Sequence, residues 1–168
     1  MLTPPPAVAL ATALVLAIPG CGQPAPTSSL PPNAANVTSA QQPYTRIMSA
    51  PTSGFTESEN LVLKTDAGLA SAWKTVHAGI PGNPAPAIDM AHNMVVLIAL
   101  GQRSTGGYTV RFDSLTTEAA GAVVRYTVTS PGPGCMNTQM ITSPIDVVSV
   151  PRIDGTVRFE KTDAVNRC

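Results

Sequence analysis

Apolar and polar positions follow different periods along this chain, and the changes of period mark its elements. Met94-Val95-Val96-Leu97-Ile98-Ala99 is an unbroken apolar run, which reads as a buried strand. Tyr108-Thr109-Val110-Arg111-Phe112-Asp113 alternates strictly and reads as a strand with one wet face. Ala122 to Val128 alternates too, with Val124, Tyr126 and Val128 on one face and Arg125 and Thr127 on the other. Further short strands are expected around Arg46-Ile47-Met48, Leu61-Val62-Leu63, Thr138 to Thr142, Ile145 to Val150 and Thr156 to Glu160. The period becomes helical once. Leu69, Ala72, Trp73 and Val76 fall at i, i+3, i+4 and i+7, with Thr65 or Asp66 to cap and Gly79 to stop the helix.

Between the strands lie Pro/Gly segments. Ser49-Ala50-Pro51-Thr52-Ser53-Gly54 and Gly82-Asn83-Pro84-Ala85-Pro86 are turn chemistry, and Leu115 to Gly121 is expected to turn the chain before Ala122. Asp154-Gly155 is a hairpin signal before Thr156. The segment Leu100-Gly101-Gln102-Arg103-Ser104-Thr105-Gly106-Gly107-Tyr108 reads as a rigid loop, with Gly106 and Gly107 reversing the chain between two strands. Pro131-Gly132-Pro133-Gly134-Cys135 makes a second stiff loop. The expected fold is mainly β (α+β): five to seven short, mostly antiparallel strands, with one helix over about 66–78 packed on the sheet. Two packed sheets and one sheet with a helix on its face both fit this pattern.

The first 43 residues differ in kind. Ala7 to Ile18 is an apolar run too short to span a bilayer as a helix. It runs into Ala17-Ile18-Pro19-Gly20-Cys21-Gly22, which resembles a bacterial lipobox, where a small residue precedes the lipidated cysteine. Residues 1–20 are therefore expected to be a lipoprotein signal peptide and Cys21 the lipidated first residue. The opening Met1-Leu2-Thr3-Pro4-Pro5-Pro6 lacks the usual Lys or Arg, and a plain signal peptide is the alternative. Residues 21–43, rich in Pro, Ala, Ser and Thr, are expected to be a flexible tether, leaving 44–168 as the domain. That organisation places the domain in the bacterial cell envelope, exported and lipid-anchored to the membrane outer face, or periplasmic.

Composition narrows the function. Charged residues are 12% of the 168, with no net charge, so no basic face exists for nucleic acid. Cys21, Cys135 and Cys168 lack metal-binding spacing. Cys135 and Cys168 are expected to pair in an oxidising compartment, stabilising by about 3–4 kcal/mol, against a free Cys168 on a frayed end. Catalysis needs a nucleophile beside a base. Ser104 and Thr105 have only His77 and His92 to call on, and no serine elbow, paired carboxylates or phosphate loop accompanies them. His77 reads as a helix-end residue and Asp89 with His92 as a strand entry. The expectation is a non-catalytic protein without cofactor, metal or small-molecule substrate. Its working surface would be Arg103, Ser104, Thr105, Gly106, Gly107 and Tyr108 with Pro131, Gly132, Pro133 and Gly134, unless those loops only hold strand register.

Gly101-Gln102-Arg103-Ser104-Thr105-Gly106-Gly107-Tyr108-Thr109-Val110 resembles the signature of the PrcB C-terminal-domain family. So do Pro131-Gly132-Pro133-Gly134-Cys135, Ser143-Pro144 and Val147-Val148-Ser149-Val150-Pro151, in the expected order, with Ser53-Gly54-Phe55, the Trp73 helix and Ile88-Asp89 upstream. The family takes its name from a bacterial lipoprotein subunit that associates with and stabilises a surface protease. The resemblance implies an exported, protein-binding domain whose partner is a protease or another envelope protein. A fainter resemblance is to chagasin-type cysteine-protease inhibitors, through Thr105-Gly106-Gly107-Tyr108, Gly132-Pro133-Gly134 and Pro151-Arg152. It implies an inhibitor plugging a protease cleft with the first of these loops.

Overall fold

The computed structural model describes residues 40–78 and 80–168; the signal segment, Cys21, most of the tether and Gly79 lie outside them. The chain forms β1 (Gln41–Gln42), β2 (Thr45–Ala50), β3 (Glu59–Leu63), α1 (Asp66–Val76), β4 (Asn93–Ala99), β5 (Thr109–Glu118), β6 (Gly121–Pro131), β7 (Ile145–Pro151) and β8 (Thr156–Asn166). One sheet has the order β2-β7-β4-β3, all antiparallel. The other has the order β1-β5-β6-β8, antiparallel except for β6 with β8. The protein is mainly β, eight strands in two sheets with a single helix among the described residues. Both architectures left open by the sequence are present at once: the sheets face each other, and α1 covers the outer face of the first.

This layering explains the apolar run in β4. Met94, Val96 and Ile98 enter the core between the sheets with Phe112, Leu115, Val124, Val148 and Val150. Val95, Leu97 and Ala99 face the other way, against Leu69, Ala72, Trp73 and Val76 of α1. A strand covered on both faces has no wet positions, whereas β5 alternates from Thr109 to Phe112 and β6 from Val124 to Tyr126, with Val123 buried as well as its neighbours. Burying each Val, Leu or Ile contributes roughly 1.5–3 kcal/mol, so these two clusters carry most of the fold. Thr65 caps α1, its hydroxyl accepting from the Gly68 amide at 3.1 Å. The left-handed residue at the helix exit is Ala78 (φ 51).

Several local expectations change. Leu115 to Glu118 continue β5, and the reversal is confined to Ala119 and Ala120. A bulge between Phe112 and Ser114 shifts the alternation by one residue, so the buried positions run Val110, Phe112, Leu115, and the period breaks within one strand. Thr138 to Thr142 is a loop, and its one ladder-type contact is an isolated bridge from Thr142 to Arg103 of the neighbouring loop. Asp154-Gly155 is not a hairpin, because β7 and β8 belong to different sheets. For the same reason Gly106-Gly107 does not reverse the chain within one sheet: residues 100–108 carry it from β4 to β5, from one sheet to the other. The expected tether loses its last residues, since Gln41 and Gln42 pair with Thr116 and Leu115.

Candidate functional site

Antiparallel order collects at one end of the first sheet the end of β4 (Ala99), the start of β7 (Ile145) and the start of β3 (Glu59). The start of β5 and the ends of β6 and β8 lie together at one end of the other sheet. Segments 51–58, 100–108, 132–144 and the C-terminus therefore emerge together, and their polar backbone groups must bond one another. The Leu100 amide donates to Pro144 O (2.9 Å), and the Ser143 amide to Pro51 O (3.0 Å). Ser53 Oγ donates to Ser143 O, while the buried Ser143 hydroxyl donates to Phe55 O. The Gly54 amide donates to Val76 O at the end of α1, at an approach so close that a Cβ on residue 54 would strike Thr75 O. This base is fixed on three segments.

The two glycine-bearing loops meet above it. The Arg103 amide donates to Thr142 O (2.8 Å) and the Thr142 amide returns a bond to Arg103 O (3.0 Å). Thr142 Oγ1 donates to Thr105 O (2.9 Å), and the Gly106 amide to Thr138 O (2.9 Å). Gly107 has φ 87 and lies so near Asn137 that a Cβ would meet its Oδ1. The second loop closes on itself through the Cys135 amide to Gly132 O (3.2 Å), and Asn137 Nδ2 donates to Cys135 O (3.1 Å). Cys135 and Cys168 place their sulfurs 2.02 Å apart, at disulfide distance.

The joined loops form an outer surface. Gln102, Ser104 and Gly107 are exposed, as are Pro133 and Gly134. Arg103, Thr105, Tyr108, Pro131, Gly132 and Cys135 are half-buried, and Gly106 is buried. Met136, Met140 and Ile141 stand fully or mostly exposed, at 102%, 57% and 63%. The Arg103 guanidinium lies 5.8 Å from the Tyr108 ring centroid. Tyr108 packs partly on the core between the sheets, and its hydroxyl bonds no described residue. Gln102, Arg103, Ser104 and Ile141 line a hollow of about 310 Å³.

Residues 94–151, from the second residue of β4 to the last of β7, match the family model described as PrcB C-terminal. Over this segment the chain is similar to the PrcB C-terminal family. No curated protein and no solved structure matches the chain. The PrcB C-terminal segment contains both loops and the strands that present them, while α1 and β8 fall outside the match.

The remaining candidates lie elsewhere. Pro151 pairs with Asn93 at the opposite end of β4 from Ala99, on the order of 20 Å along the strand. Arg152 there donates to Met90 O and Lys64 O, closing the far end of the fold. The three loops of a chagasin-type inhibitor are thus not brought together. Asp89 closes a turn, accepting from the Ala91 amide and standing 2.7 Å from His92 Nδ1, with both side chains exposed. Those bonds, that to His92 first, hold the Asp89 carboxyl below its usual range. The carboxylate's contribution to the turn is thus fully present above the ordinary aspartate range and is lost as pH falls through the lowered value, while the backbone bonds from His92 and Asn93 to Asp89 O remain. His77 Nδ1 faces Trp73 O at 3.1 Å, and the His77 and Trp73 ring centroids lie 5.0 Å apart with the planes tilted by 48°. Among the described residues no group of three or more His, Cys, Asp or Glu comes together.

Sequence reasoning missed two features. Met136, Met140 and Ile141 belong to a surface loop; adjacent Met140 and Ile141, which cannot share one face of a strand, were the available signal. Asp146 is buried in β7 and forms a two-point ion pair with Arg46 of β2 (2.9 and 3.0 Å). Asp146 Oδ2 also accepts from the Phe112 amide (2.7 Å), and Arg46 donates to Phe112 O. The pair occupies the edge of β5 at its bulge and ties the sheets together. The hydrogen-bonded Asp146 raises the Arg46 pKa further.

Proposed function

We propose that the chain is an exported, lipid-anchored, non-catalytic protein that binds a protein partner through the joined loops 103–108 and 131–142. The partner suggested by the family's character is an exported protease or another envelope protein, which binding would stabilise. One observation carries this reading: two loops of the PrcB C-terminal segment, separated by more than 20 residues of chain, are bonded into one surface. That surface exposes Met136, Met140 and Ile141, and no charged residue occurs from Pro131 to Ile145. Depletion of charge at the centre, with Met, Tyr and Arg present, is the composition of protein interfaces. Methionine adapts its shape to what it meets.

Export is supported by the lipobox-like Ile18-Pro19-Gly20-Cys21 and by two cysteines at disulfide distance, which suit an oxidising compartment. Lipidation of Cys21 would place the domain on a membrane outer face through residues 21–39. The test is chemical crosslinking in intact cells followed by recovery of the tagged full-length chain. Wild type should bring down a defined envelope protein. Met140→Glu combined with Ile141→Glu should reduce its recovery more than tenfold, and Ala119→Glu at the far turn should not. Equal recovery by all three chains would contradict the assignment.

A further inference from the structure

We infer that Arg103 and Ile141 form an anchoring subsite for a carboxylate that neighbours an apolar side chain on an extended segment of the partner. The inference rests on the docking reading above and specifies the partner's chemistry. Arg103 is held before any partner arrives. Its backbone is bonded in both directions to Thr142, its guanidinium lies over the Tyr108 ring, and Nη1 donates to Gln102 O (3.3 Å). Nε and Nη2 donate to no described residue, so one two-donor edge of the guanidinium remains open. That edge has the geometry of a carboxylate.

Arg103 and Arg167 are the two arginines without an ion pair among the described residues, and of these Arg103 lines the hollow. Of seven arginines, Arg46, Arg111, Arg125, Arg152 and Arg158 are ion-paired within the fold. Arg103 pairs with no carboxylate among the described residues, not even Glu57, whose backbone lies against Gly101. Residues 1–39 and Gly79 contain no Asp or Glu that could serve it. A positive charge is thus left uncompensated within the chain, on one wall of the 310 Å³ hollow. Gln102 and Ser104 add polar groups to that wall, and the exposed Ile141 supplies an apolar one. The hollow has room for one acidic side chain beside an aliphatic one.

The probe is N-acetyl-Leu-Asp-Leu-amide, compared with its Asn isostere, titrated into the 15N-labelled 168-residue chain and followed by NMR. The Asp peptide should shift the Arg103 Nε–H signal and the Ser104 and Ile141 amides saturably in the millimolar range. The Asn peptide should bind about tenfold more weakly, as loss of a charge-assisted hydrogen bond implies. Arg103→Gln should abolish the difference, and Ile141→Ser should weaken both peptides alike. Equal binding of the two peptides, no binding, or an unmoved Arg103 side chain overturns the subsite. The crosslinking experiment separates the two levels. A partner lost with Met140→Glu and Ile141→Glu yet kept by Arg103→Gln overturns the subsite and leaves the docking surface standing. A wild-type chain that recovers no partner overturns the surface itself.

Discussion

Gly107 and Asp146 show how single residues hold the two loops and the two sheets. Gly107 combines a positive φ with close approach to Asn137, so any side chain is doubly opposed. Gly107→Ala should lower the unfolding free energy by about 1–2 kcal/mol in urea titration, and it should broaden or shift the amide signals of 136–138. An unchanged midpoint and spectrum would mean that the loops do not depend on each other. Asp146→Ala removes the partner of Arg46 and leaves the Phe112 amide without its acceptor. With Arg46 partly solvated, the loss should be about 2–4 kcal/mol by the same measurement. A loss below about 1 kcal/mol would show that solvent replaces the pair. The positive φ at Gly107 was legible in the sequence; its contact with Asn137 and the pairing of Asp146 were not. An acidic residue inside an apolar strand reads as an interruption until the bulged strand that needs an acceptor is in view.

At the level of elements, legibility followed locality. The helix announced itself through Thr65 and the spacing of Leu69, Ala72, Trp73 and Val76, because capping and face are set within four residues. Its anchor can be tested directly. Trp73→Ala should cost about 3–5 kcal/mol in thermal or denaturant unfolding, since the indole fills the contact between α1 and β4. A small loss would place the helix outside the cooperative core. The doubly covered β4 was equally plain as a buried strand, yet nothing local said which partner strand belonged to which sheet. β8 shows the limit: its alternation predicted Thr156 to Glu160, and the strand runs on to Asn166 as a polar edge. Pairing parallel to β6, it brings Cys168 back to Cys135, and the bond expected there closes a loop with a sequence separation of 33. Replacing both cysteines with Ser should cost about 3–4 kcal/mol under oxidising conditions and nothing under reducing ones. Equal stability in both buffers would count against the bond.

For the whole molecule, strand order converts a dispersed set of motifs into one end of the sandwich. Of the residues resembling the family signature, Ser53-Gly54-Phe55, Gly101 to Val110, Pro131 to Cys135 and Ser143-Pro144 are far apart in the chain and contiguous in the fold, whereas Ile88-Asp89 and Pro151 lie at the other end of the sheet. The sequence carried the blocks and their order; the juxtaposition needed the two-sheet topology, in which 100–108 and 132–144 both cross between sheets at the same end. The proposed lipid anchorage turns on Cys21. Cys21→Ser should move the protein from the membrane fraction to the soluble one, and persistence in the membrane would rule out a lipid anchor at that position. The most direct test of the docking surface is site-specific photocrosslinking in living cells, with the photoreactive residue at Ser104, at Met140 or at Asp154. Ser104 and Met140 should capture one and the same protein, and Asp154 none of it. Different proteins at the two loop positions, or equal capture from Asp154, would contradict the docking surface.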